Sequence, residues 1–393
     1  MKRSTLALST LIAAFACADS PQPLAPTTTT TSSLASTSAS DNLQNGAVYT
    51  STDELTNRVI AYYRDSDGSL VEAGRFPTGG SGSGLGSLFG QGGVILSGRE
   101  PGARVGTGAN HLLFAVNAGS NSISVFRVEK NELVLVETEP SNGIKPISLT
   151  LYQDVLYVLH QTSGSISGFN VTSKGELTPI AGSTRTIAGG PTSNPAQVGF
   201  SNDGSTLVVS ERETGLLNSF VFDKRTGLTG TNNVITASGQ EPFGFEFDNR
   251  NHLFLTDGFF VAPGLGGASS YDLTKTSQLV PISGDVKNGG TDTCWLIVTN
   301  DGRFVYTHSF GDSRLSSYKI DPQGNLVLFQ SIAALTGVGP GGFDIALTIG
   351  SQFLYAVNQQ GTIRGFEVNS DGTLTPRSSI SGLPPSVTGL AVR

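Results

Sequence analysis

The stretch Leu112-Leu113-Phe114-Ala115-Val116-Asn117, a polar turn, then Ile123-Ser124-Val125-Phe126-Arg127-Val128 decides the fold. Two short runs rich in aliphatic and aromatic residues flank Gly, Ser and Asn, which reads as a β-hairpin. The first run returns at residues 47–52, 155–160, 206–211, 252–257, 304–309 and 353–358. The second returns at 58–63, 166–171, 217–222, 268–273, 315–320 and 363–368. A third segment of the type Gly-x-Leu-x-Pro follows, entered through tight turns such as Asp67-Gly68, Lys174-Gly175, Gln323-Gly324 and Asp371-Gly372. A fourth run precedes each first run, at 93–97, 146–151, 195–200, 242–247, 294–299 and 342–348. Its seventh copy, 386–392, stands at the far C-terminus. Four strands per unit and seven units predict an all-β, seven-bladed β-propeller over residues 46–393. Its C-terminal strand pairs in the first blade and closes the ring, which removes the exposed edges of an open sheet.

Composition agrees. The chain has 393 residues, 50 of them Gly, and only 14% are charged, where about 25% is usual. The formal charge is −7 and no Lys/Arg cluster occurs, which excludes nucleic acid as an expected partner. Two cysteines, Cys17 and Cys294, make no disulfide framework. Residues 79–93 are Gly-rich but carry no dinucleotide fingerprint and no following helix. They are expected to form a flexible surface loop, with a substrate lid as the alternative. Asp65-Ser66-Asp67-Gly68 reads as a hairpin turn and not a calcium loop, because no Glu follows where that loop needs one.

The N-terminus has the layout of an export signal. Met1-Lys2-Arg3 is basic, Leu6 to Ala16 is apolar and too short to span a bilayer, and Cys17 follows. Ala14-Phe15-Ala16-Cys17 resembles a bacterial lipoprotein box, which implies lipidation of Cys17. Residues 1–20 are therefore expected to be a signal peptide, of lipoprotein type or simply cleaved. Residues 21–45, rich in Thr, Ser and Pro, are expected to be a flexible stalk. The mature protein is expected outside the cytoplasm, secreted or held to a membrane by a lipid anchor, and as a monomer.

Ala115–Phe126, Gln197–Glu211, Pro242–Asp248 and Cys294–Tyr306 resemble the lactonase-like seven-bladed propellers, which include 6-phosphogluconolactonase and carboxymuconate cyclase. The resemblance runs through all seven repeats and implies the same fold and a hydrolase of a lactone or related cyclic ester. It also implies site residues. The family's Pro-Arg-His opening reads Pro195-Ala196-Gln197 here, while Glu211 matches the family Glu at the end of the following strand. Asp-Thr-Arg-Trp reads Asp292-Thr293-Cys294-Trp295, and Lys145-Pro146-Ile147-Ser148 stands where a His-rich phrase is expected. The lost Arg and His leave an alternative, a non-catalytic surface propeller for binding or adhesion.

Aligning the first runs gives one residue per blade at the same strand end: Thr52, Asn117, His160, Glu211, Asp257, Ser309 and Asn358, with His308 beside Ser309. Equivalent places in seven blades share one mouth of the ring. Glu211, His160 and His308 are the candidate catalytic groups, a carboxylate and imidazoles able to act as base and acid. Asp257, Asn117, Asn358 and Trp295 are the candidate substrate-binding residues, for a small-molecule ligand at the mouth. No cofactor and no metal is assigned, although Ca²⁺, which takes about six to eight oxygens, is an alternative use of the oxygen-rich sector. Two blander readings stand beside these: strand-end Asn, Asp and Ser cap turns, and Trp295 and Cys294 fill core.

Overall fold

The computed structural model describes residues 42–84, 88–98 and 111–393. The signal segment, Cys17 and the stalk up to residue 41 lie outside the described residues. Residues 42–45 were expected in the stalk but belong to the fold. Leu43 is fully buried, its amide donates to Lys130 O at 2.8 Å, and its carbonyl accepts from Tyr49 Oη at 3.1 Å.

Blade one holds β1 (Ala47–Ser51), β2 (Arg58–Arg64) and β3 (Leu70–Pro77). Blade two holds β4 (Val94–Leu96), β5 (Leu112–Asn117), β6 (Ser122–Val128) and β7 (Leu133–Pro140). Blade three holds β8 (Pro146–Tyr152), β9 (Val155–His160) and β10 (Ser165–Val171), with a divided outer strand, β11 (Leu177–Pro179) and β12 (Arg185–Thr186). Blade four is β13 (Pro195–Phe200), β14 (Thr206–Glu211), β15 (Leu216–Asp223) and β16 (Leu228–Thr236). Blade five is β17 (Pro242–Phe247), β18 (His252–Asp257), β19 (Gly267–Leu273) and β20 (Leu279–Lys287). Blade six is β21 (Thr293–Val298), β22 (Phe304–Ser309), β23 (Arg314–Ile320) and β24 (Leu326–Leu335). Blade seven is β25 (Gly342–Leu347), β26 (Phe353–Asn358), β27 (Thr362–Val368) and β28 (Leu374–Ser381). Last comes β29 (Thr388–Val392), which pairs antiparallel with β1, Val48 opposite Val392. The seven sheets, the four-stranded blades and the closing strand are those read from the repeats.

Second strands such as β5, β9 and β22 are buried at every position, because neighbouring blades cover both faces. Outer strands such as β24 are buried at one end and otherwise half-buried or exposed. The Tyr of the repeated strand ties blade to blade. Tyr157 Oη donates to Gly227 O, Tyr306 Oη to Gly372 O and Tyr355 Oη to Gly68 O, each at 2.8 Å. The last of these fastens blade seven to blade one. Gly68 has φ +86°, and a Cβ there would lie 2.6 Å from the Phe353 ring, so the hairpin needs glycine on both counts.

The described residues of the Gly-rich insertion, 79–84 and 88–93, are tied to the blades by backbone hydrogen bonds and do not form a loose loop. Residues 79–84 lie over the junction of blades one and two, with Gly82 N donating to Glu54 O and Gly119 N to Ser81 O. Residues 88–93 run into the axial channel formed by the inner strands. Gln91 N donates to Ala196 O, Leu149 N to Gly92 O, and Ser148 Oγ to Gln91 O. The Gln91 amide donates to Leu296 O at 2.8 Å and accepts from Leu296 N at 3.1 Å. The segment thus bridges several inner strands; we call the side of it that holds Phe89 and Trp295 the upper chamber and the side that holds Asp344 the lower chamber.

Candidate functional site

The seven aligned strand-end residues do occupy equivalent places, but all are fully buried. Each is covered by the linker arriving from the preceding blade, and in most blades a linker glycine lies directly on it. A Cβ on Gly80 would fall 2.5 Å from Asn117 Cγ, one on Gly143 2.3 Å from His160 Cγ, and one on Gly189 2.3 Å from Glu211 Oε2. Gly239 stands in the same way over Asp257, and Gly290 over Ser309. The column is a set of interblade latches.

Their hydrogen bonds say the same. Glu211 accepts from Gly189 N on both oxygens, from Asn218 Nδ2 at 2.7 Å and from Thr214 Oγ1 at 2.5 Å. His160 faces two carbonyls, Ser141 O at 2.8 Å and Ser165 O at 3.1 Å. Burial lowers its pKa, and those carbonyls partly offset the fall. His308 lies between Phe343 O at 2.6 Å and Thr336 Oγ1 at 2.8 Å. Burial pushes its pKa down to about 4, so the ring is neutral at ordinary pH. Among the described residues no hydrogen bond joins His160, Glu211 or His308 to one another. Asn117 bonds to Ser124 and Asn57, and Asn358 to Ser313 and Gln360 N. Asp257 is the exception: Oδ1 accepts a long bond from Ser269 and Oδ2 accepts none. Burial, with Asp285 nearby, raises its pKa well above the usual range. Trp295 is buried, stacked on Phe343 at 4.6 Å, and donates to Gly90 O at 3.3 Å. No three His, Cys, Asp or Glu side chains converge as metal ligands among the described residues.

A different column faces the axis. It is the residue just before each inner strand: Lys145, Asn194, Glu241 and Asp292, all with left-handed φ between 43° and 62°. Three of them precede Pro, which disfavours helical backbone in the preceding residue, so the turns are strained. Glu241 and Asp292 converge above Gly258. A Cβ on that glycine would lie 2.6 Å from Glu241 Oε2 and 3.2 Å from Asp292 Oδ1. The two carboxyls thus face the same small space. Arg212, the residue after Glu211, turns inward and pairs with Glu241 through Nε, at 3.1 Å, and Nη2. Its guanidinium lies over Phe89 at 5.5 Å and Phe243 at 5.2 Å. Cys294 Sγ donates to Asp292 Oδ1 at 3.1 Å.

Burial raises the pKa of both carboxyls, and Arg212 opposes the rise. The neighbouring Asp292 adds to the rise at Glu241. Burial first, then the two carboxylates, push the Cys294 thiol well up, so it is no thiolate nucleophile. Aromatic rings wall the chamber. Phe89 of the insertion packs edge-on against Phe310 at 5.3 Å and lies 5.4 Å from Phe343, while Phe243 meets Trp295 at 5.1 Å. Aligning the strand ends misses this site because its residues stand one place beyond them. The recurring polar-residue-before-Pro at Lys145-Pro146, Asn194-Pro195 and Glu241-Pro242 is the signal that marks it.

The fold and the mouth define a closed seven-bladed propeller with a charged, aromatic-walled chamber on its axis. Residues 41–192 match the family described as lactonase, seven-bladed β-propeller, which agrees with the resemblance carried by the repeats. No curated protein matches the chain. Among solved structures, a Lactobacillus plantarum protein is 16% identical with a TM-score of 0.70, covering 88% of this chain and 99% of its own. The Pseudomonas aeruginosa periplasmic gluconolactonase is 17% identical with a TM-score of 0.69, covering 88% and 98%. A 6-phosphogluconolactonase candidate from Bacteroides fragilis is 15% identical with a TM-score of 0.66, with the same coverage. At such identities these structures establish the fold.

Proposed function

We propose that this protein is an exported lactonase-family hydrolase of small lactones or related cyclic esters, acting in the upper chamber. The observation that carries the reading is the Arg212–Glu241–Asp292 cluster on the axis, beside Glu211, which matches the family Glu, and the Asp292-Thr293-Cys294-Trp295 phrase, which resembles the family's except that Cys294 replaces its Arg. The chemistry moves from Glu211, His160 and His308, which are tied to linkers, to this cluster. The ionised member of the carboxyl pair takes a proton from water as the water oxygen adds to the ring carbonyl. Arg212 Nη1, the nitrogen that makes no bond to Glu241, stabilises the developing oxyanion. The ring C–O bond then breaks, and the protonated carboxyl supplies the proton that the leaving alkoxide needs. The product is an open hydroxy acid. With Arg212 already committed to Glu241 and the walls aromatic, an unphosphorylated lactone suits the chamber.

Export rests on the basic start, the apolar run and the Thr/Ser segment, with Cys17 as the lipid-bearing residue and a monomer as the working form. One observation favours the alternative of a non-catalytic binding propeller: Phe89 lies on Arg212 and the insertion closes the axis beneath it. A panel of simple lactones tests the two. Turnover by the purified protein, lost in Arg212→Met, is expected. No turnover above buffer on any lactone overturns the enzyme reading and leaves binding.

A further inference from the structure

Beside Gln91, on the lower side of the insertion, lies a cavity of about 110 Å³. Phe200, Phe245, Phe247, Leu96, Ile297 and Leu390 supply apolar parts of its wall, beside polar groups. Among the described residues lining it, Asp344 and Glu246 are the titratable groups, and no Lys, Arg or His joins them. Asp344 is 2% exposed, on β25, and accepts from Gly389 N at 2.9 Å and from the Gly92 backbone. Around it stand Ile297 of β21, Leu390 of β29 and Gln91 of the insertion, none of them charged. Glu246, on β17, accepts from Val298 N across the neighbouring strand.

Both amides of the chamber are committed. Gln91 uses its oxygen and nitrogen on Leu296, and Gln197 uses its own on Phe245, at 2.7 and 2.9 Å. A guest anion would meet two carboxyls. A carboxylate sunk in an apolar wall without a counter-charge is costly, and a cation placed against it removes that cost. Phenyl faces beside it attract the same charge.

We propose that the lower chamber binds a small organic cation, a primary ammonium on a short apolar body, with Asp344 as its counter-ion. A cavity of about 150 Å³ takes benzene, so this one takes a body of about three or four carbons. The site does not depend on any reaction above the plug. Burial lifts the Asp344 pKa to about 7, so the cation should bind in the neutral to alkaline range and compete with a proton below it.

The probe is n-propylammonium chloride, compared with sodium chloride at equal ionic strength, with 1-propanol and with sodium butyrate. At pH 8 n-propylammonium should raise the melting temperature in proportion to occupancy, and the other three should not. The Kd from titration calorimetry should weaken about tenfold per pH unit below the Asp344 pKa, and Asp344→Asn should abolish binding. Equal shifts with 1-propanol would show an apolar cavity without charge selection and overturn the proposal. So would a wild-type Kd that is flat from pH 5 to 8, which decides the matter even if the variant does not fold. Loss of lactone turnover in the upper chamber would leave these outcomes unchanged.

Discussion

The two chambers of the channel contain the same kind of group in opposite states. Above the plug, Arg212 pairs with Glu241 and opposes the rise that burial gives Glu241 and Asp292, so the protein answers its buried charge itself. Below it, Asp344 is buried as deeply with no basic residue on the wall. Glu241 and Asp292 stand just before inner strands of the ring and Asp344 stands on one. The difference is therefore in one side chain, Arg212, and not in the architecture. An acid with an internal partner is held ready for chemistry, while an acid without one is held ready for a ligand.

The largest effect should come from removing the internal partner. Arg212→Met leaves a buried carboxyl pair uncovered and should cost about 3–5 kcal/mol near pH 7, read from chemical denaturation. Turnover on a responsive lactone should fall by about 10²–10³-fold in the fraction still folded. If stability falls and turnover does not, the upper chamber is structural and the two chambers do not divide as argued.

The lower chamber sharpens the contrast through pH. The Asp344 pKa is raised in the fold, so the stability linked to it is full below the unfolded carboxyl pKa and is lost as pH climbs through about 7. Asp344→Asn should therefore raise the melting temperature at pH 8 and change it little near pH 4. An equal change at both values would mean that the carboxyl is not ionised at pH 8.

Glu211 gives a control outside both chambers. Glu211→Gln converts an acceptor of Gly189, Asn218 and Thr214 into a mixed donor and acceptor, and should cost about 1–3 kcal/mol. Activity per folded molecule should stay. A large loss of activity at unchanged stability would return Glu211 to the mechanism. The smallest effect concerns the lid of the upper chamber: Phe89→Ala should lower stability by only about 1 kcal/mol, since the ring is partly exposed. It should also lower KM for bulkier lactones. An unchanged KM would show that Phe89 does not limit entry.

The repeats made the blades legible because strand periodicity and turn residues are local properties. The pairing of 386–392 with the first blade followed from counting inner strands. The aligned strand ends were placed correctly but misread as an open rim, because a sequence does not show which linker will lie on them. Gly143 over His160 and Gly189 over Glu211 are visible only in three dimensions. The 79–93 insertion was opaque for a related reason. Its glycines suit a loose loop as well as a chain that must pass close to seven inner strands, and Gln91 finds its partner Leu296 far along the sequence. Arg212 escaped notice because its importance lies in where the turn aims it.

The pairing of β29 with β1 also sets an order in time. During synthesis β1 emerges with β2 and β3, but the strand that belongs on its inner side ends at Val392. Contacts of such long sequence separation form late and slowly. Until β29 has been made, the channel lacks one wall, Asp344 lacks the Gly389 amide, and blade seven meets blade one through such contacts as Tyr355 with Gly68 and Phe353 with Arg64. The ring thus carries its own test of completeness: a nascent chain missing its last few residues has neither a closed barrel edge nor a finished lower chamber, and should be recognisable to proteases as an open form.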